Sequence, residues 1–247
     1  MPEKTDRDTD LDALKSSVRA FARRHHAGTA FVPGETPVKV TGKVYDHEEF
    51  ELLLEAGLDG WWTEGRFTQQ VASDLAAFLG ARDVMLCNSG SSANLLALAA
   101  LTSPLMGERR LRAGDEVIGV AAGFPTTIAP TVQTGCIPVL LDIELGTYNI
   151  DARRLAEAVT PRTRAIMLAH TLGNPWDVDA VMHVAKQHQL WVIEDCCDAL
   201  GATYKGGMVG SFGDLGTLSF YPAHHMTCGE GGAVFSRHAR LKRAVES

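Results

Sequence analysis

The sequence predicts an α/β fold with a mostly parallel central sheet sandwiched by helices. Three observations carry this expectation. Short, almost wholly apolar segments recur along the chain, as in "DVMLCN", "EVIGVAA", "IPVLLDI", "RAIMLAH" and "LWVIED". Strands buried on both faces read as such runs, whereas half-buried strands alternate. Helix-period stretches stand between several of them, as a sheet covered on both faces requires. The chain has 247 residues, 45% hydrophobic and 21% charged, so it can bury one sizeable core.

Taken in order, residues 1–60 read as a peripheral helical segment. "LDALKSSVRAFARRHH" sets Leu11, Leu14, Val18 and Phe21 at helical spacing. "FVPGETPVKV" breaks the chain with two prolines, and "DHEEFELLLEAGLDGWW" gives a second amphipathic helix ending near Gly57 to Gly60. Residues 61–247 form the main domain. From about Phe67, "TQQVASDLAAFLG" is a helix, "DVMLCN" a strand and "SSANLLALAALTS" a helix. The strands "EVIGVAA", "IPVLLDI", "RAIMLAH" and "LWVIED" follow, with the helix "DVDAVMHVAKQHQ" before the last. "GTLSFY" and "GAVFS" read as two closing strands. "RHARLKRAVES" starts a helix with neither cap nor polar tail, so the chain is expected to be part of a longer protein.

Composition excludes some partners. The formal net charge is −7 and no basic block occurs, which disfavours nucleic acid and anionic membranes. No apolar run approaches the roughly 18 residues of a membrane span, and "MPEKTDRDTD" lacks a signal-peptide apolar core; a cytoplasmic location is expected. The five cysteines are odd in number, widely spaced and without a C-x-x-C pair, so neither disulfides nor zinc are expected. Reduced, mostly buried thiols are.

Ligands of open α/β sheets sit beyond the C-terminal ends of the strands. After "DVMLCN" come Ser89-Gly90-Ser91-Ser92, opening a helix. Free backbone N–H groups and the helix dipole there would favour a phosphate; Ser91 or Ser92 as a plain N-cap fits equally. Neither a P-loop nor a G-x-G-x-x-G turn is present. After "LWVIED" stand Asp195, Cys196, Cys197 and Asp198. A strand-end carboxylate needs a partner, and either a protonated pyridine nitrogen or a helix N-terminus would serve. After "GTLSF" the loop "SFYPAHHMTCGEGG" holds Ser219, Tyr221, His224 and His225. A histidine there suits proton transfer near neutral pH; an exposed pair without a role is the other reading.

Together, the Gly-Ser-Ser turn, the strand-end Asp and the Ser-aromatic loop resemble the fold-type I pyridoxal-phosphate proteins. More narrowly they resemble the sugar aminotransferases and dehydrases acting on nucleotide-linked 4-keto-6-deoxy sugars. In the aminotransferases this loop reads roughly S-F-x-x-x-K-x-x-x-x-G-E-G-G, and the lysine bonds the cofactor; here that position is His224. "SFYPAHH", "AHTLGNPWD", "AAGFPTT", "NSGSSANLLALAALTSP" and "IEDCCDALG" closely resemble the CDP-4-keto-6-deoxyglucose 3-dehydrase family, from about Leu58 onward.

The resemblance implies a cofactor held without a covalent bond, as pyridoxamine phosphate, and C3 dehydration of the sugar in 3,6-dideoxysugar and lipopolysaccharide synthesis. It implies His224 as base with Tyr221 assisting. Gly90, Ser91 and Ser219 would meet the phosphate, Phe124 would stack on the ring, Asp195 would meet the ring nitrogen, and Asp198 would lie near the ring hydroxyl. It further implies a [2Fe–2S] cluster with Cys197 as one ligand and three more cysteines beyond residue 247. An NADH-dependent flavin iron–sulfur reductase, a homodimer and a small C-terminal domain outside this chain are also implied. The 247 residues alone are then expected to turn over little. Competing expectations are a GDP-4-keto-6-deoxymannose 3-dehydrase, an aminotransferase relative and a non-catalytic nucleotide-sugar-binding protein.

Overall fold

The computed structural model describes residues 5–26, 30–39, 42 and 44–247. Met1 to Lys4 of the charged N-terminus, and Val40 of the proline-broken stretch, lie outside them. Contacts group the chain into two units, Met1–Gln70 and Val71–Ser247.

In the first unit, α1 (Asp6–His25) opens with a capping box: Thr5 accepts from the Asp8 N–H, and the Thr5 N–H donates to Asp8. Asp46 and Glu49 form the same motif at α2 (His47–Leu58). Such caps contribute about 1 kcal/mol each. Arg19 grips Glu51 through two bonds of 2.8 Å, and Lys15 meets Glu55, tying α1 to α2.

The second unit begins within α3 (Arg66–Leu79) and continues as β1 (Asp83–Cys87), α4 (Gly90–Thr102), β2 (Glu116–Val120), α5 (Pro125–Gln133) and β3 (Ile137–Leu141). Next come α6 (Leu155–Ala158), β4 (Thr163–Ala169), α7 (Val178–His188), β5 (Trp191–Asp195) and the hairpin of β6 (Thr203–Tyr204) and β7 (Gly207–Met208). β8 (Leu215–Ser219), β9 (Gly232–Ser236) and α8 (Ala239–Val245) close the order. Seven strands form one sheet in the order β1-β9-β8-β5-β4-β2-β3. The pairs from β8 across to β3 are parallel, and only β9 runs against the rest.

The apolar runs of the central strands have the expected cause, whereas the edge strand β3 leaves Ile137 and Leu140 exposed. Along β4, Met167 packs with α4 residues Ala97 and Leu98, while its neighbours Ile166 and Leu168 pack with α7 residues Val178 and Val181. β5 divides the same way, Ile193 to one face and Val192 to the other. Leu75 and Leu79 of α3 join a third cluster with Leu218 and Phe235. A strand covered on both faces has no position left for a solvent-facing polar residue.

Two elements go beyond the sequence reading. α5 contains Pro130, which removes a backbone donor and usually costs about 3 kcal/mol in a helix interior; the proline is buried and Pro125 starts the helix at its first turn. The β6–β7 hairpin turns on Lys205 and Gly206, both left-handed (φ 48° and 84°), the geometry of a type I′ turn.

Candidate active site

The C-terminal ends of β1, β4, β5 and β8 share one edge of the sheet, and α4 begins there. Ser89 takes the N-cap, its hydroxyl accepting from the Ser92 N–H at 3.1 Å. This corrects the expectation of Ser91 or Ser92 as the cap, because the helix begins at Gly90, two residues earlier than a Ser91 cap would allow and three earlier than a Ser92 cap. Ser91 is exposed on the first turn, where backbone N–H groups lack intrahelical partners. Gly90 is buried, and a Cβ on it would lie 2.4 Å from the Ser219 Cβ. A Cβ on Gly232 would lie 2.3 Å from the Ser89 carbonyl oxygen. The two glycines therefore let β8 and β9 approach the start of α4, placing the Ser219 hydroxyl beside its N-terminus.

Asp195 ends β5 and is 4% exposed. Its Oδ2 accepts from Asn94 Nδ2 at 2.8 Å and Thr127 Oγ1 at 2.7 Å, and its Oδ1 from the Cys197 N–H at 3.1 Å. The two cysteines that follow diverge. Cys196 lies in the cluster of Phe235 and Val209, and burial pushes its thiol up. Cys197 faces the cavity described below, and burial, followed by the Asp195 carboxylate, holds its thiol well above the ordinary range. Gly173 (φ 81°) backs Asp198 so closely that a Cβ there would lie 2.9 Å from the Asp198 carbonyl oxygen.

The loop after β8 is pinned at its base by the Phe220 N–H to Gly231 (2.8 Å) and the Cys228 N–H to Phe220 (3.2 Å). A turn from Tyr221 to His224 brings His224 Nδ1 to 3.2 Å from Asp198 Oδ1. Phe124, 66% exposed, precedes α5. Every site residue read from the sequence (Gly90, Ser91, Phe124, Asp195, Cys197, Asp198, Ser219, Tyr221 and His224) lines the same cavity of about 490 Å³, a size that suits a small-molecule ligand. His225 is exposed and is not among the lining residues.

The sequence reading missed Asn94, Thr127 and Thr217. Asn94 lies four residues after Gly90 on the same helical face, a polar residue directly before the apolar run "LLALAAL" that could have been noticed; Thr127 needed α5 to be recognised as a helix. It also missed a buried pair next to Asp195. Fully buried His170 meets Glu194 through Nε2 at 3.0 Å and stacks on Trp176 at 4.6 Å. Glu194 also accepts from the N–H groups of Gly210, Phe212 and Gly213 at 2.8, 2.8 and 2.5 Å, which fixes the turn feeding β8.

Sheet order and site edge define the α/β architecture of the fold-type I pyridoxal-phosphate sugar aminotransferases and dehydrases. Residues 43–247 match the model of the DegT/DnrJ/EryC1/StrS aminotransferase family, and the chain belongs to that family. It is 53% identical over 236 residues to the lipopolysaccharide biosynthesis protein RfbH of Salmonella typhimurium, covering 96% of this chain and 54% of that protein. It is also 53% identical to the dTDP-4-dehydro-2,6-dideoxy-D-glucose 3-dehydratase of Saccharopolyspora spinosa, covering 96% and 51%. The solved structure of E. coli GDP-4-keto-6-deoxy-D-mannose-3-dehydratase with bound hydrated PLP superposes with a TM-score of 0.80 at 31% identity, over 84% of this chain and 53% of that one. The chain thus spans about half the length of the curated relatives it matches.

The residues present fit a phosphorylated pyridine cofactor. Asp195 is a buried carboxylate met by neutral donors alone among the described residues. Three of its roughly four acceptor positions are used, and the remaining one suits a protonated ring nitrogen. They do not by themselves fit an iron–sulfur cluster, which needs four ligands. Among the described residues no group of three or more metal-binding side chains forms.

Proposed function

We propose that this chain is the cofactor-binding part of a pyridoxamine-phosphate-dependent sugar 3-dehydrase acting on a nucleotide-linked 4-keto-6-deoxyhexose, CDP-4-keto-6-deoxyglucose first. The observation that carries the reading is His224. By the loop resemblance it stands where the aminotransferases carry their lysine; it lines the cavity and is paired with Asp198, and the described lining residues include no lysine. A histidine cannot bond the cofactor covalently but can move a proton.

When bound, pyridoxamine phosphate supplies an amine for the C4 ketone and a ring that accepts electrons as the C3 hydroxyl departs. Asp195 presents its carboxylate to the ring nitrogen. Gly90, Ser91 and Ser219 offer backbone N–H and hydroxyl donors to the phosphate, and Phe124 offers a face for the ring. Asp198 engages His224 Nδ1 and so leaves Nε2 as the nitrogen that accepts and returns the proton. Tyr221 supplies a hydroxyl on the same wall. Overall the C3–O bond breaks, water leaves, and two electrons from NADH complete the deoxygenation through a partner reductase.

Residues 61–247 act as the cofactor-binding domain, with 1–60 as a peripheral segment. The reading extends to a cytoplasmic homodimer and to a longer protein in which Cys197 joins further cysteines around a [2Fe–2S] cluster; this chain alone turns over little. The S. spinosa relative is named for a dTDP-linked sugar, a pyrimidine nucleotide like CDP, which supports trying a pyrimidine-linked sugar first.

The test expresses the complete gene and supplies pyridoxamine phosphate, NADH and an iron–sulfur flavin reductase with CDP- or dTDP-linked 4-keto-6-deoxyglucose or GDP-linked 4-keto-6-deoxymannose, each in a separate assay. A 3-deoxy product from the CDP sugar supports the reading. Product from the dTDP or GDP sugar alone reassigns the nucleotide, and an amino sugar as the only product overturns dehydration.

A further inference from the structure

Three elements, α4 and α5 directly and β8 through α4, converge on the Asp195 side chain. The Thr217 hydroxyl on β8 donates to Asn94 Oδ1 at 2.7 Å; Asn94 Nδ2 on α4 donates to Asp195 Oδ2 at 2.8 Å; Thr127 on α5 donates to the same oxygen at 2.7 Å. All are buried: Thr217 0%, Asn94 1%, Asp195 4% and Thr127 7% exposed.

The order of donors matters. An amide has one acceptor end and one donor end. Because Thr217 occupies the acceptor end of Asn94, the donor end is the one turned to Asp195. A reversed amide would set its oxygen against a buried carboxylate, a juxtaposition that desolvation makes costly. Two donors on Oδ2, from two different helices, then fix the rotation of the carboxylate about its Cβ–Cγ bond. Oδ1 accepts from the Cys197 N–H at 3.1 Å, and its other lone pair faces the cavity that Asp195 lines. Asn94 also lies one turn from Gly90, so a single rigid helix carries both the anion-binding N-terminus and the group that orients the carboxylate, about 6 Å apart along its axis.

We propose that Asn94, with its amide oriented by Thr217, is a positioning residue that aims Asp195 at the ring nitrogen of the bound cofactor, and that α4 thereby sets the spacing between phosphate and ring nitrogen. This rests on the cofactor reading above.

The test measures affinity rather than turnover. Pyridoxamine phosphate, and its analogue with a carbon in place of the ring nitrogen, are titrated into the chain, with equilibrium dialysis as readout and the melting temperature of each ligand-free variant recorded. Asn94→Leu is expected to weaken the natural ligand about 10- to 100-fold and near-isosteric Thr217→Val about 3- to 10-fold, the range for losing one charge-assisted hydrogen bond or its orienting partner. Both variants are expected to bind the analogue within about twofold of wild type, because no ring nitrogen remains for Asp195 to meet. Equal losses for both ligands, or no loss for the natural one, would overturn the positioning role and leave the cofactor reading standing. A wild-type chain that binds neither ligand overturns the cofactor reading itself, and the inference with it.

Discussion

Gly90→Ala tests the close approach on which the site is built. The added Cβ would lie 2.4 Å from the Ser219 Cβ, 2.8 Å from its Oγ and 3.1 Å from its Cα. Carbon atoms sit comfortably at about 3.5–4.0 Å, so the end of β8 and the first turn of α4 must part by roughly 1 Å. The Oγ can swing away, but the Cβ and Cα are fixed by the backbone and no rotamer change relieves them. Overpacking of this kind costs about 1–3 kcal/mol, while alanine at a helical position returns at most about 1 kcal/mol. The net loss of about 1–2 kcal/mol should lower the melting temperature by roughly 2–8 °C for a chain of this size. The assay is thermal unfolding followed by circular dichroism, run as a double-mutant cycle. Ser219→Gly removes both the Cβ and the Oγ that are struck and should recover most of the loss in the double variant; Ser219→Ala keeps the closer Cβ contact and should recover much less. A Gly90→Ala chain as stable as wild type, or rescue by alanine equal to rescue by glycine, would refute the contact.

Other expectations concern separate parts of the second unit. Glu194→Gln replaces an oxygen that backbone N–H groups face with an amide donor, and should destabilise the chain by about 2–4 kcal/mol in urea unfolding; a change below 0.5 kcal/mol would contradict the network. Glu116 has its carboxyl held below the ordinary value of 4.5 by its bonds to Thr160, then Arg162 and Thr163, against the opposing effect of burial. A depressed carboxyl stabilises above its unfolded pKa, and that contribution fades as pH falls below about 4.5. Glu116→Gln should therefore lower the melting temperature at pH 7 and narrow the gap to wild type below pH 4, whereas a gap constant with pH argues against the bonds. In the complete protein, His224→Asn should abolish product formation while cofactor affinity stays within about threefold of wild type, and undiminished product would remove His224 as the base.

The site depends on where chemistry-bearing residues meet strand ends. Asp195 and Ser219 could be read because each follows an apolar run, and ligands of such sheets gather beyond those ends. Ser89 as the cap was less legible, since three serines within four positions all suit an N-cap and only the actual first turn of α4 selects one. Thr127 was hidden because no helix was read after "EVIGVAA", where α5 holds prolines at both 125 and 130. His170 and Glu194 each end an apolar strand segment, yet nothing local announces that they pair across β4 and β5.

What the sequence determined by itself is periodicity and local chemistry. Apolar runs specified strands covered on both faces, helix-period stretches specified their covers, and the loop pattern placed a histidine at position 224. The tertiary structure decided what depends on distance between segments far apart in the chain. It set β9 antiparallel between β1 and β8, turned Cys196 into the core and Cys197 toward the cavity, joined His224 to Asp198, and chained Thr217 through Asn94 to Asp195. The reason is physical. Periodicity is encoded in neighbours three or four residues apart, whereas a hydrogen bond between residues 94 and 195 exists only after packing has brought α4 and β5 together.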